Sequence, residues 1–252
     1  MAPKFENSVV IHQPHFLPWP PYLARVALCE TFVVLDDVLY RKRYYHNRTR
    51  FLDQLGRLKW GTLPIHANSV TRISDATIDL THRKIFHRFG NSLHDTHFHS
   101  PYFGEVWPAV KSFIQSIGSS RDLTYLAHVN VASILLLLSL LEIPGPKEII
   151  FASAIAGDEM CRTSRLVSLA KHTRSHTYLT GWGASINPKI HDLQKFRQAG
   201  ISVASMDAAK AKTIEPKFIS CSGVSTLHWI FQCGKTYVRD KVTSYLETFV
   251  IK

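Results

Sequence analysis

Two runs near the start of the chain, Ser8-Val-Val-Ile-His12 and Thr31-Phe-Val-Val-Leu-Asp36, are continuously apolar instead of alternating. That pattern belongs to strands covered on both faces of a parallel sheet. The residues between them, about Tyr22 to Glu30, have helical spacing, so the opening reads as a β-α-β unit. Further on, Leu58 to Pro64 and the alternating Val70 to Leu80 read as strands that could pair as a hairpin. Helical periodicity covers Arg83 to His94, the stretch after Pro101 to about Ile117, and Asp122 to Leu141.

Pro144-Gly-Pro146 closes this helical block, and Glu148 to Ser153 returns to strand. Helix over Arg162–His172, strand over Thr177–Thr180, helix from Ile190 to Gln198 capped by Gly200, and strand from Ile201 to Ala204 then follow. Two helices, Ser225–Gln232 and Val238 to about Phe249, end the chain. No internal repeat or linker interrupts it. The expected architecture is one α/β domain over residues 1–252, built on a single Rossmann-like parallel sheet with a mixed strand and helix insertion over 58–146.

Composition sharpens this picture. Thirty Lys and Arg against nineteen Asp and Glu give a formal charge of +11, with fourteen histidines besides, so the surface field favours anionic partners such as RNA, nucleotides or acidic carriers. The longest oily run, Val131 to Leu141, is far short of the roughly 20 residues that cross a bilayer. With no apolar signal segment over Met1 to Ser8, the expected setting is the cytoplasm, with no membrane partner. Cys29, Cys161, Cys221 and Cys233 lack a short paired spacing and read as reduced packing residues.

Ligands of open parallel sheets bind beyond the carboxyl ends of the strands, which selects three clusters. The first is His12-Gln13-Pro14-His15 with Trp19 and Tyr22, stiffened by Pro14, Pro18, Pro20 and Pro21. The second is Asp36-Asp37, twin carboxylates that must be solvated, paired or bound to an amine or metal. The third is Tyr178 to Gly183, including Thr180 and Gly181. Just after the acids, Arg41 to Arg50 hold five of the thirty basic side chains interleaved with Tyr44 and Tyr45, a mixture suited to phosphate contact and stacking. A rigid turn followed by a solvated basic loop is the plain alternative.

A second basic face, Arg162, Arg165, Lys171 and Arg174, could extend that track. His87, His94, His97 and His99 superficially suggest metal ligands, but no zinc-binding spacing supports them, and neither metal nor cofactor is expected. No Walker loop, G-x-G-x-x-G or G-x-S-x-G occurs, which disfavours P-loop hydrolysis, simple dinucleotide oxidoreduction and ordinary esterase chemistry. Ser185 and Ser225 are nucleophile candidates by position only.

Ile11-His-Gln-Pro14, Pro18-Trp19, Tyr22, Phe-Val-Val-Leu-Asp-Asp-Val38, Lys42-Arg43, Asn47-Arg48 and Arg50 together resemble the WbqC-like protein family. Pro101-Tyr-Phe103, Tyr178-Leu-Thr-Gly181, Ala199-Gly-Ile201, Ser225 and Phe231 with Gly234 spread the resemblance over most of the chain. Departures are Pro21 for a usual Gly, Leu39 for Gln, the missing Gly-rich segment after Gly181, and His228 for an expected Asp. The resemblance implies acyl or aminoacyl transfer to an amine in surface-glycan or natural-product assembly.

The inferred sheet is also similar to the nucleotide-binding fold of class I aminoacyl-tRNA synthetases, which tRNA-dependent cyclodipeptide synthases share. The likeness to the latter is partial: Tyr40 stands where the fungal Asp-Asp-x-x-Glu motif has Glu. These resemblances give the expected function, amide formation by an aminoacyl or acyl transferase whose donor is aminoacyl-tRNA or another anionic activated ester, with a small amine as acceptor. Asp36 and Asp37 would hold the donor's ammonium, and His12 or His15 would move protons. Lys42, Arg43, Arg48 and Arg50 would bind phosphates, and Tyr178 and Thr180 would contact the acyl carbonyl. Gln13, Trp19, Tyr22, Asn47, Gly181 and Ser225 complete the expected substrate contacts. Two alternatives stand beside it: an N-acyltransferase using a carrier-protein thioester on an amino sugar, and a non-catalytic RNA- or nucleotide-binding module.

Overall fold

The computed structural model describes residues 5–81, 83–155, 161–182, 191–221 and 223–251. Ser8–His12 forms strand β1, Pro20–Leu28 helix α1 and Thr31–Val34 strand β2. There follow β3 (Arg48–Leu52), β4 (Leu58–Thr62), β5 (Ile65–His66), β6 (Thr77–Ile78), α2 (Arg83–His97), α3 (Phe103–Ser116) and α4 (Leu126–Leu140). The chain then makes β7 (Glu148–Phe151), α5 (Arg162–His172), β8 (Thr177–Thr180), α6 (Leu193–Gln198) and β9 (Ser202–Met206). It ends with α7 (Ala208–Ile214), α8 (Pro216–Ser220), α9 (Thr226–Cys233), α10 (Lys235–Ser244) and β10 (Phe249–Ile251).

The central sheet has the order β10-β9-β8-β1-β2-β7, parallel except for β10 against β9. From β1 the chain steps outward to β2 and β7, then crosses to the other side of β1 for β8 and β9. The winding reverses between β1 and β8, and at such a point crossover helices diverge and leave a crevice at the carboxyl ends. Strand alternation sends Val10, Phe32, Val34 and Leu179 into one apolar layer and Val9, Ile11, Val33 and Tyr178 into the other.

The first layer is sealed by α1, all nine residues of which are buried, and by α4, apolar on nearly every side. Among the described residues no helix is long and apolar enough to cross a membrane. α5 and α6 cover the second layer with Leu166, Leu169 and Phe196.

Several elements differ from expectation. The alternation over Val70–Leu80 yields only β6, because the chain turns repeatedly between Asn68 and Ala76. The hairpin partner of β4 is β3, inside the basic segment, where no strand is expected. Burial over β3 alternates about the buried Thr49 and Phe51, so the period-two signal was present beneath the charge. The stretch from Asp122 splits into a 3₁₀ turn, Asp122–Thr124, and α4. The last helix ends at Ser244, and Phe249–Ile251 becomes the antiparallel edge strand. The expected start of a helix at Ile190 lies outside the described residues, and α6 begins at Leu193.

Candidate functional site

At the end of β1 the chain turns sharply around Gln13. Its backbone carbonyl accepts from His12 Nδ1 at 2.9 Å and from the Tyr22 hydroxyl at 2.9 Å. With its proton on Nδ1, a neutral His12 presents a lone pair at Nε2. Burial, helped by the positive charge of Arg25, holds the His12 pKa down at about 3. The Gln13 side-chain oxygen accepts from His46 Nε2 at 3.1 Å, and His46 Nδ1 accepts from the Arg41 amide at 3.3 Å. Burial, with the charge of Arg41, lowers His46 to about 4.

His15 is 4% exposed and lies between two tyrosines, stacked on Tyr22 at 4.5 Å between ring centroids and on Tyr45 at 5.4 Å. Both of its ring nitrogens are sealed and without a partner. Desolvation therefore pushes its pKa far below the usual value, with the neighbouring His12 adding to the effect. Edge contacts to His12 at 5.2 Å and Tyr44 at 5.3 Å complete a cluster of neutral imidazoles and phenol rings.

Both acids make contacts within the protein, while Asp37 Oδ1 is buried without a hydrogen-bond partner. Asp36, 2% exposed, accepts from the Ser153 amide at 2.9 Å and the Ser153 hydroxyl at 2.7 Å, tying the ends of β2 and β7 together. Its pKa is raised, chiefly because burial opposes the charge. Asp37 pairs with Arg165 at 2.9 Å, and the same guanidinium nitrogen also donates to the carbonyls of Ala152 and Ile155. The partner of Asp37 is therefore on α5, not in the basic segment after it, and Arg165 leaves the expected second basic face for the interior.

On β8, Tyr178 and His12 project to opposite faces of the sheet. The Tyr178 hydroxyl shares a hydrogen bond with His191 Nε2 at 3.2 Å, and its ring stacks on Phe196 at 5.2 Å. Burial raises its pKa, and a hydrogen bond with Thr180 opposes the rise. Tyr178 and His12 are thus not brought together as a pair; what reaches both is the charge of Arg25 and Arg162. Trp19 packs edge-on to Trp182 at 5.4 Å, lining the same strand ends.

Arg48 and Arg50, two apart on β3, share one face and lie over Trp60 of β4, their guanidinium carbons 3.7 and 4.6 Å from its ring centroid. Tyr45 joins this stack, 5.5 Å from Trp60, with Arg50 5.8 Å from its own centroid. Since Tyr45 also stacks on His15, the hairpin is physically continuous with the imidazole cluster. Lys42 and Arg43 are exposed beside it, and Arg48 donates to the Arg43 carbonyl.

Two expected contacts are structural. Asn47 is buried, its amide donating to the Leu63 carbonyl at 2.8 Å and accepting from Tyr40 at 3.0 Å. Ser225 is fully buried, donating to the Leu17 carbonyl at 2.8 Å and capping α9 through the Leu227 amide. Ser185 lies outside the described residues.

Sequence reasoning missed Arg25, His46, Ser153 and the inward turn of Arg165. Cys161 is also not a packing residue: it is exposed at the start of α5, and hydrogen bonds from the Ser164 amide and hydroxyl and the Thr163 amide, with Lys195, lower its thiol to about 7. Among the described residues no group of three or more His, Cys, Asp or Glu side chains is placed to hold a metal.

The fold is a mainly parallel α/β sheet whose switch point gathers buried imidazoles and cationic side chains at the strand ends. The chain belongs to the WbqC-like protein family, whose model matches residues 13–240. It is also similar to the uncharacterized protein Rv1507c of Mycobacterium tuberculosis, at 36% identity over 59 residues, covering 23% of this chain and 25% of that protein. No solved structure matches the chain.

Proposed function

We propose that the protein transfers an acyl or aminoacyl group from an anionic, activated donor to an amine, forming an amide. The observation that carries this reading is the unbroken path from the cationic hairpin, through Tyr45 and His15, to His12 with its Nε2 lone pair free. Arg48, Arg50 and Trp60 suit a phosphate chain with a stacked ring, while the imidazole cluster suits a reacting centre that must not carry charge of its own.

In this reading the amine attacks the donor's ester carbonyl, the new C–N bond replaces the C–O bond, and the departing alkoxide oxygen takes up a proton to become a hydroxyl. His12 Nε2 removes the proton from the attacking nitrogen and returns it to the leaving oxygen. Burial, with the charge of Arg25, holds the basicity of His12 down; an anion bound beside Arg25 would offset that charge and raise it. An activated ester already supplies the driving force, so alignment could provide most of the acceleration.

Aminoacyl-tRNA is the donor that best uses an exposed basic and aromatic hairpin leading to a buried reaction centre, and the class I synthetase-like, cyclodipeptide-forming reading is its specific form. The test is the purified protein's ultraviolet spectrum. Excess absorbance at 260 nm that RNase removes supports a tRNA donor. Tight binding of a nucleotide sugar with no RNA supports transfer from a carrier thioester onto an amino sugar.

A further inference from the structure

Arg25 is the last-turn cation of α1, only 9% exposed, and among the described residues no hydrogen bond or ion pair engages its side chain. Its ring contact is Tyr22, with the guanidinium carbon 5.4 Å from the centroid. The groups whose charge would favour it include Tyr22 and Tyr178, both kept protonated and neutral near pH 7 by burial. An arginine cannot relieve burial by losing its proton at that pH, and an unpaired buried ion costs several kcal/mol.

Arg165, partly buried at the strand ends, shows the usual solution, with a carboxylate and two carbonyls among its partners. Arg25 has the burial without the solution. Gly181, just after β8, lies against it: a Cβ there would come into contact at 3.5 Å with both the guanidinium carbon and Nη1. The location is the reversal point between β1 and β8.

We infer that Arg25 is an anion-binding group of the switch-point crevice, taking a planar or tetrahedral oxyanion, carboxylate or phosphate, of a small ligand beside Gly181 and Tyr22. This subsite is separate from the hairpin, and it does not depend on the transfer reaction. A guanidinium presents a fork of N–H donors matched to two oxygens, so both oxyanions fit the chemistry.

The test is thermal unfolding of the full chain near neutral pH, with inorganic phosphate or acetate added at ionic strength held constant with chloride. A saturable rise in Tm with phosphate identifies a phosphate subsite, and one with acetate a carboxylate subsite. Arg25→Met abolishes the rise, and by itself melts at or above the wild type because an unpaired buried charge has gone. Gly181→Val, which fills the flank and keeps the charge, also abolishes it, whereas Arg48→Ala/Arg50→Ala retains it.

The inference is overturned if neither anion moves the wild-type Tm, or if, in the Arg48→Ala/Arg50→Ala background, the rise survives Arg25→Met. It is equally overturned if Arg25→Met melts several degrees lower or fails to fold, the signature of a structural arginine. Those results would remove the anion that raises the basicity of His12 but leave amide transfer itself to be judged by its product.

Discussion

His97 and His228 meet in the interior with His97 Nε2 3.0 Å from His228 Nδ1. His97 Nδ1 lies 2.9 Å from the Leu93 carbonyl and must donate to it, so Nε2 is the acceptor and His228 Nδ1 carries the proton between the rings. Both side chains are buried, and burial lowers His97 to about 4 and His228 to about 3.

A histidine whose pKa is lower folded than unfolded binds fewer protons in the native state, so stability rises with pH between the two values. The protein should lose stability as pH falls from about 6.5 toward 4, with each buried histidine worth on the order of 3 kcal/mol at full effect. His12, His15, His46 and His191 shift in the same direction. Urea denaturation at a series of pH values checks this; in His97→Phe/His228→Leu the slope over that interval should be shallower. A stability that stays flat down to pH 4 contradicts it.

Gly223 holds the hairpin stack in place. It adopts φ +78°, and a Cβ there would collide with the Tyr45 ring. Gly223→Ala should therefore destabilise the protein by roughly 1–3 kcal/mol and dislodge Tyr45 from His15. Chemical denaturation measures the first effect and tyrosine fluorescence the second. An unchanged midpoint would show that the tyrosine does not need this approach.

The acids behave as internal ties. Asp37→Asn removes the carboxylate partner of the partly buried Arg165 and should cost about 3 kcal/mol. Asp36→Asn turns one acceptor toward the Ser153 donors into a donor itself, and a loss of about 1–3 kcal/mol follows. Thermal melts of both variants decide the matter: wild-type stability with lost activity would restore the acids to a substrate-binding role.

Arg48→Ala and Trp60→Ala should each weaken binding of single-stranded RNA. The arginine change should also flatten the dependence of log K on log salt by about 0.7, the value for one phosphate contact. Stacking on Trp60 should contribute about 1–3 kcal/mol. Fluorescence anisotropy across a salt series reads both. A salt slope unchanged by Arg48→Ala would remove the hairpin from the binding surface.

What the sequence made legible follows from the strength of each local signal. The runs at β1, β2 and β8 are apolar on both faces, and the rule for strand ends then led directly to His12, His15 and Gly181. Arg25 left no such trace: it sits in an otherwise apolar helix, where a last-turn cation reads as a complement to the helix dipole. Arg48 and Arg50 were seen as charge and not as alternate positions of a strand, so their stacking on Trp60 was missed. The engagement of Asp36 by Ser153 joins residues 117 apart, a contact that no local pattern encodes.

Amide formation at the strand-end cluster is tested most directly by mass spectrometry of small molecules released by cells expressing the chain. The account predicts a new amide, such as a diketopiperazine or an N-acylated amine, that is absent from cells expressing His12→Ala at equal soluble protein. An identical set of small molecules from cells with and without the wild-type chain, or a product undiminished by His12→Ala, would contradict it.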